Sequence, residues 1–267
     1  DEAIEVTKIY SVAGLLPQGE SLIKTRPFRA PHHTISNVGL AGGGHKLRPG
    51  EVTAAHNGVP FLDELPEFSK TALDVLRQPL EDGVITISRA AGTLTFPSKI
   101  TLVCAMNPCK CGNFGNPYKK CICSPAEIKG YLSRISGPLL DRIDLHVDVM
   151  PVGFEDIEGD SKEESSAEIR KRVISAREMG AKRFKGKGIT CNAQMSHAQV
   201  REFCKTTKEA LELLKMSFNT YGLTARSYDK VLKLARTVAD LRGGDIIEAH
   251  DVAQVLQYRR LDKKYWG

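Results

Sequence analysis

The stretch Val59-Pro60-Phe61-Leu62-Asp63-Glu64 decides how the rest of this sequence is read. Four apolar residues suit a short buried strand, and they end abruptly in two carboxylates. Parallel sheets bind ligands at the carboxyl ends of their strands, so this order places Asp63 and Glu64 where a ligand would lie. Where such a pair serves a nucleoside triphosphate, the first carboxylate holds Mg²⁺ through its water shell. The second orients and deprotonates the attacking water. Alone, the pattern also occurs at ordinary helix starts. Pro60 speaks against a central strand, because it removes an amide that a ladder would use.

Neighbouring segments strengthen the reading. Ile100–Met106 has the length of a second buried strand and ends at Asn107, whose amide could align the same water. Ser69–Leu80 reads as a helix. Val84–Ser88 and Thr93–Phe96 alternate around Arg89-Ala90-Ala91-Gly92, which is a hairpin signal. Arg142 falls where a helix is expected to meet a strand, and Arg226 at the start of a later helix. Each arginine by itself is more often a surface ion-pair partner.

The chain has 267 residues, of which 41% are hydrophobic and 26% charged, enough apolar material for one large domain or two ordinary ones. Disorder and a small disulfide scaffold are excluded on composition. No apolar run approaches the ~18 residues of a membrane span, and Asp1-Glu2-Ala3 does not open a signal peptide. Starting at Asp rather than Met, the chain is expected to be a piece of a longer one. From Lys182 onward there are 17 Lys/Arg against 9 Asp/Glu. A basic final third permits a polyanionic partner without demanding one.

Texture divides the chain into an α/β body over 1–150, a linker and connecting helix over 151–185, and a helical module over 186–267. Residues 151–165 are polar and acidic. Ser196-His197-Ala198-Gln199 and Thr206-Thr207-Lys208-Glu209 match capping boxes. Thr224 is expected to open a long helix with Val231, Leu234, Ala235, Val238 and Leu241 on its apolar face, stopped by Gly243-Gly244. Ala249–Tyr258 closes the set.

Several stretches together are specific. They are Arg26–Thr34 (RPFRAPHHT), Arg48–Val52 (RPGEV), Phe61–Phe68 (FLDELPEF), Ala105–Cys109 (AMNPC), Tyr131–Val147 (YLSRISGPLLDRIDLHV) and Ser227–Leu241 (SYDKVLKLARTVADL). In combination the sequence resembles the magnesium-chelatase-like AAA+ ATPases, and most closely their bacterial competence-associated branch. The resemblance implies a parallel AAA+ sheet followed by an all-helical lid, with ATP and Mg²⁺ as cofactors. Asp63 and Glu64 would be the Walker B pair, Asp63 as Mg²⁺ ligand and Glu64 as general base. Asn107 would be sensor 1, Arg142 the arginine finger reaching a neighbouring subunit, and Arg226 sensor 2. Arg134 is the lesser finger candidate. Residues 28–56 would form a helix-2 insert and 84–96 a pre-sensor-1 hairpin, with Arg89 either a phosphate contact at its tip or a solvated turn residue.

The resemblance further implies a homo-oligomeric ring in the cytoplasm, without a membrane partner and with DNA as the expected client. A chelatase-type motor acting on a protein partner, for Mg insertion into a porphyrin, is the alternative. A third reading makes the chain a non-catalytic assembly or DNA-binding module. The phosphate loop Gly-x-x-x-x-Gly-Lys-[Ser/Thr] has no match here. Its absence predicts an incomplete sheet with one free edge and weak nucleotide binding by this chain alone.

Cys109, Cys111, Cys121 and Cys123 form C-x-C-x₉-C-x-C, and Gly112, Gly115 and Pro117 let the chain turn back between the pairs. Structural zinc, reduced buried thiols and disulfides are the three readings, zinc favoured because four thiolates suit its tetrahedron. Clustered rather than paired cysteines suit a reducing compartment. Cys104, Cys191 and Cys204 read as small apolar residues. His32-His33 has no third ligand nearby and reads as loop structure.

Overall fold

The computed structural model describes residues 1–44, 47–89, 92–151, 164–221 and 224–258, with Arg89, Asn219, Tyr221, Ala225 and Arg226 described by backbone alone. The expected linker over 151–165 falls almost wholly outside these residues. The chain forms two compact units, the first over Asp1–Ile143 and the second from Asp144 onward.

In the first unit, α1 (Glu2–Ala13) ends at Gly14, which turns the chain at φ 73°. Then come β1 (Phe28–Arg29), α2 (Asn37–Ala41), β2 (Gly42–Gly43), β3 (Arg48–Pro49), α3 (Glu51–Ala54) and β4 (Val59–Leu62). α4 (Lys70–Val75) and α5 (Arg77–Asp82) lead into β5 (Val84–Arg89) and β6 (Gly92–Pro97). β7 (Val103–Cys104), α6 (Pro125–Leu132) and α7 (Gly137–Leu140) follow. β1, β4 and β7 make a parallel three-stranded sheet in that order, so the Val59–Leu62 run is its centre.

Burial alternates along β4: Pro60 and Leu62 point into the core, while Val59 and Phe61 are half-buried. That core gathers Leu40, Val52, Leu62, Leu73, Leu76 and Leu139. Pro60 is tolerated because of where its missing amide falls. The Val59 amide bonds the Pro27 carbonyl on the β1 side, and the Thr101 amide bonds the Gly58 carbonyl on the other. Paired residues of β4 and β7 begin only at Phe61 and Val103, so the lost bond sits at the ladder's entry.

Three expectations need correction. The single helix over Ser69–Leu80 is two, breaking at Leu76. Pro79 has no amide to return to the Val75 carbonyl, which ends the first ladder. The Ile100–Met106 strand shortens to Val103–Cys104, and Val103 is 42% exposed, because no strand among the described residues covers the far side of β7. No strand follows Arg142 through Pro151. The hairpin forms over 84–97 with Arg89 opposite Gly92; Ile85 and Ile87 enter the core, and Thr86–Thr95 and Ser88–Thr93 hydroxyl pairs line the outer face.

The second unit is helical: α8 (Ser166–Arg183), α9 (His197–Phe203), α10 (Lys208–Tyr221), α11 (Ala225–Arg242) and α12 (Ala249–Gln257). The Ser196–Gln199 capping box forms as its spacing predicts. On α10 the cap is Thr207 rather than Thr206, its hydroxyl accepting the Ala210 amide at 3.2 Å. Thr224 opens α11 and Gly243, at φ 81°, closes it. Its buried face is Val231, Leu232, Ala235, Arg236, Ala239 and Asp240, with Leu241 left 39% exposed. The apolar alternation does not predict the two buried charges. Asp240 accepts from Arg183, Asn192 and Arg236, and Arg236 also donates to the Gly244 and Asp245 carbonyls, so the guanidinium is buried with partners.

Gly58 fixes the approach of β1 to β4, since a Cβ there would lie 2.1 Å from the Pro27 carbonyl oxygen. Gly58→Ala should therefore cost about 1–3 kcal/mol by overpacking, read as a lowered midpoint in thermal or urea unfolding; an unchanged midpoint would show that the close approach is dispensable.

Candidate functional site

β4 stops at Leu62 because the chain is pinned across the next two residues. The Ala105 amide bonds the Leu62 carbonyl at 2.9 Å, and the Leu65 amide bonds the Ala105 carbonyl at 3.0 Å. Asp63 and Glu64 arch between these bonds at the carboxyl edge of the sheet. Glu64 takes a left-handed conformation, φ 53° and ψ 45°, uncommon for a residue with a Cβ. The Asp63 Oδ1 accepts the Glu64 amide at 2.8 Å, which supports the turn. Both side chains face solvent, Glu64 being 55% exposed. Asn107, also exposed, lies two residues beyond Ala105. The sheet thus brings the two carboxylates and the Asn107 strand end to one edge.

His33 belongs to the same edge, which sequence reasoning missed. Its Nδ1 lies 2.9 Å from the Glu64 Oε2, its ring lies against that of His32 at 4.1 Å between centroids with a 34° tilt, and Phe68 meets it edge-on. The signal available was topological: β1 runs parallel to β4, so residues just past β1 must emerge beside residues just past β4.

The arginines are distributed differently. Arg142 is only 15% exposed, ion-pairs with Glu81 and donates to the Pro138 carbonyl at 2.6 Å, while its buried Nε has no partner among the described residues. Arg134 is 44% exposed and donates to the Pro66 carbonyl and to Glu67 at 2.9 Å, on the turn that follows Glu64. Arg226 lies in the first turn of α11 in the second unit, and Arg89 ends β5; the side chains of both lie outside the described residues.

The four clustered cysteines converge. Their Sγ atoms all lie within 4.8 Å of one another, three of the separations being 3.4, 3.6 and 3.7 Å. A zinc–sulfur bond of about 2.3 Å puts tetrahedral corners about 3.8 Å apart, so the donor set fits that ion closely. Amides of Ile122 and Asn113 pull the Cys111 thiol down to about 6, while against the pull of the Cys123 amide burial and the neighbouring Cys111 and Cys109 push the Cys121 thiol up to about 12. All seven cysteines are unbridged, which removes the disulfide reading. The cluster also backs onto the sheet edge: a Cβ on Gly112 would lie 4.0 Å from the Asn107 Oδ1. Burial pushes the thiols of Cys104 and Cys204 up to about 12 and about 11, as suits apolar packing, whereas Cys191 is exposed and does not pack as expected.

Comparison with known proteins fits this geometry. The family described as magnesium chelatase, subunit ChlI, matches residues 1–157, and its C-terminal counterpart matches residues 163–259. The chain belongs to the magnesium chelatase ChlI family. It is 42% identical to the competence protein ComM of Haemophilus influenzae, over 97% of this chain and 50% of the relative. It is 39% identical to the uncharacterized protein YifB of Escherichia coli, over 98% and 51%. The uncharacterized protein Rv2897c of Mycobacterium tuberculosis is 41% identical, over 97% and 51%. The chain spans about half the length of the curated relatives it matches. Among the described residues no helix is long and apolar enough to cross a membrane.

Protein purified without chelator should carry one equivalent of zinc by elemental analysis, and Cys111→Ser with Cys121→Ser should lose it. Metal-free wild type with four titratable thiols would show that the cysteines serve as packing.

Proposed function

We propose that the chain supplies the catalytic sheet edge and helical lid of an AAA+ motor subunit that hydrolyses ATP and acts on DNA. What supports this is the convergence of Asp63, Glu64 and Asn107 at the carboxyl end of adjacent parallel strands, in a family whose description is a chelatase subunit. The donor set suits the cofactor. Asp63 is an exposed oxygen donor with one oxygen engaged by the Glu64 amide, leaving the other for the water shell of Mg²⁺. Bound Mg·ATP would supply a polarised γ-phosphoryl group.

The remaining chemistry belongs to the chain. Glu64 accepts a proton from the attacking water, Asn107 orients that water, and His33 holds the Glu64 carboxylate until it is drawn toward the reacting water. An arginine from a neighbouring subunit of a ring neutralises charge on the transferred group, an effect worth roughly 10³–10⁵ in rate in phosphoryl transfer. Arg142 fills that role by leaving Glu81, which ties hydrolysis to assembly; Arg226 contacts the phosphate of its own subunit. The phosphate-cradling loop must come from outside these 267 residues. Arg89, at the hairpin tip, contacts DNA phosphate, which positions the duplex without reading its sequence. The chelatase description favours one other client, a protein partner in Mg insertion.

In the full-length protein, Glu64→Gln should bind ATP and lose turnover by about 10²–10⁴-fold; retained turnover would remove Glu64 as the base. The 267-residue chain alone should show no micromolar ATP affinity by calorimetry, and tight binding would place a phosphate cradle within it. Forked DNA should bind the full-length protein more weakly after Arg89→Ala, read by fluorescence anisotropy.

A further inference from the structure

The cysteine loop carries a surface that neither ATP hydrolysis nor zinc binding uses. From Asn107 to Ala126 the chain has no acidic residue and three lysines, Lys110, Lys119 and Lys120. All three are exposed, and Lys119 and Lys120 join no ion pair among the described residues. The next acid, Glu127, is exposed and caps its own helix, accepting the Ser124 amide and hydroxyl at 2.8 Å each, and its carboxylate faces the charge of Lys110. Beside these charges, Tyr118 is 71% exposed and Ile122 87% exposed.

This exposure is built rather than incidental. The Asn116 Oδ1 accepts the amides of both Tyr118 at 2.8 Å and Lys119 at 3.1 Å, fixing the turn that presents the ring and the first lysine. Three residues past Tyr118 the chain is anchored by Cys121, whose Sγ lies 3.7 Å from that of Cys109 and 3.6 Å from that of Cys111. An exposed aromatic ring followed directly by two lysines that join no ion pair among the described residues has the two elements that bind single-stranded nucleic acid. The ring stacks a base, and the ammonium groups track the phosphates. A protein partner would leave Lys119 and Lys120 uncompensated unless it were itself acidic.

We infer that the Cys109–Cys123 loop is a single-strand contact, with Tyr118 stacking on a base and Lys119 and Lys120 meeting phosphate. The inference rests on DNA as the client, and it places a contact there separate from the Arg89 hairpin. Both copies of the C-x-C pair serve to stiffen the platform, which lowers the ordering cost of binding.

A fluorescein-labelled oligothymidine titrated with full-length protein tests this by anisotropy at several salt concentrations. Tyr118→Ala should weaken binding about tenfold, the low end of what one base stack contributes, while Tyr118→Phe, which keeps the ring, should bind as wild type. Lys119→Ala with Lys120→Ala should reduce the slope of log K against log salt by about 1.4, two single-strand phosphate contacts. Wild-type binding that is untouched by these variants but lost in Arg89→Ala would overturn the inference and leave the DNA reading standing. No binding by wild type, with ATP turnover intact, would remove both. Loss of binding to phosphatidylserine vesicles in the same variants, with oligothymidine affinity unchanged, would overturn it in favour of a lipid surface.

Discussion

Two backbone hydrogen bonds across Ala105 hold the candidate site together. The Leu62 carbonyl and the Leu65 amide both reach this one residue, the first past β7, so the chain between them must bulge out of the sheet plane. Asp63 and Glu64 are that bulge. Because Leu62 is fully buried against Leu40, Val52 and Leu139, the strand cannot slide along its axis without moving an apolar side chain into the wrong place. The position of the carboxylates is therefore a consequence of core packing. Their exposure follows from the left-handed turn at Glu64, supported by the Asp63 side chain.

The same edge collects groups from three separate segments. His33 arrives from β1, Asn107 from β7, and the cysteine loop folds back to set Gly112 against Asn107. A sheet of parallel strands makes this convergence possible, since all its carboxyl ends lie on one side. Four cysteine side chains a few residues past Asn107 converge to within 4.8 Å of one another, which orders this short excursion without large apolar side chains.

The helical unit solves a different problem. α11 buries a guanidinium, Arg236, and a carboxylate, Asp240, in a core that otherwise contains Val231, Leu232, Ala235 and Ala239. The cost of taking these charges out of water is offset because each guanidinium nitrogen and both carboxylate oxygens are bonded: Arg183 and Asn192 complete Asp240, and the carbonyls after the helix complete Arg236. Such a network ties α8, the short turn at Asn192 and the end of α11 into one arrangement. It specifies the packing more narrowly than interchangeable leucines would.

Local chemistry made much of this legible in the sequence. The β4 run, the hairpin of alternating residues, the Ser196 and Thr224 caps, the Gly243 stop and the four-cysteine spacing are each readable because their causes lie within a few residues. Helix boundaries failed where a single proline, Pro79, outweighed a long apolar pattern; on α11 Val231, Leu234, Ala235 and Val238 pack with the core as expected, but hydrophobicity cannot mark the buried Asp240, whose partners Arg183 and Asn192 are 57 and 48 positions away. His33 was invisible as a site residue for the same reason: its partner Glu64 is 31 positions away, and only the parallel pairing of Phe28 with Val59 brings them together. The sequence by itself determined the segment types, the carboxylate pair and the metal-suited thiols. Tertiary structure alone decided which strand ends share an edge, that Arg142 is held by Glu81, and that Tyr118 is exposed, because each depends on pairings between distant segments that no local spacing encodes.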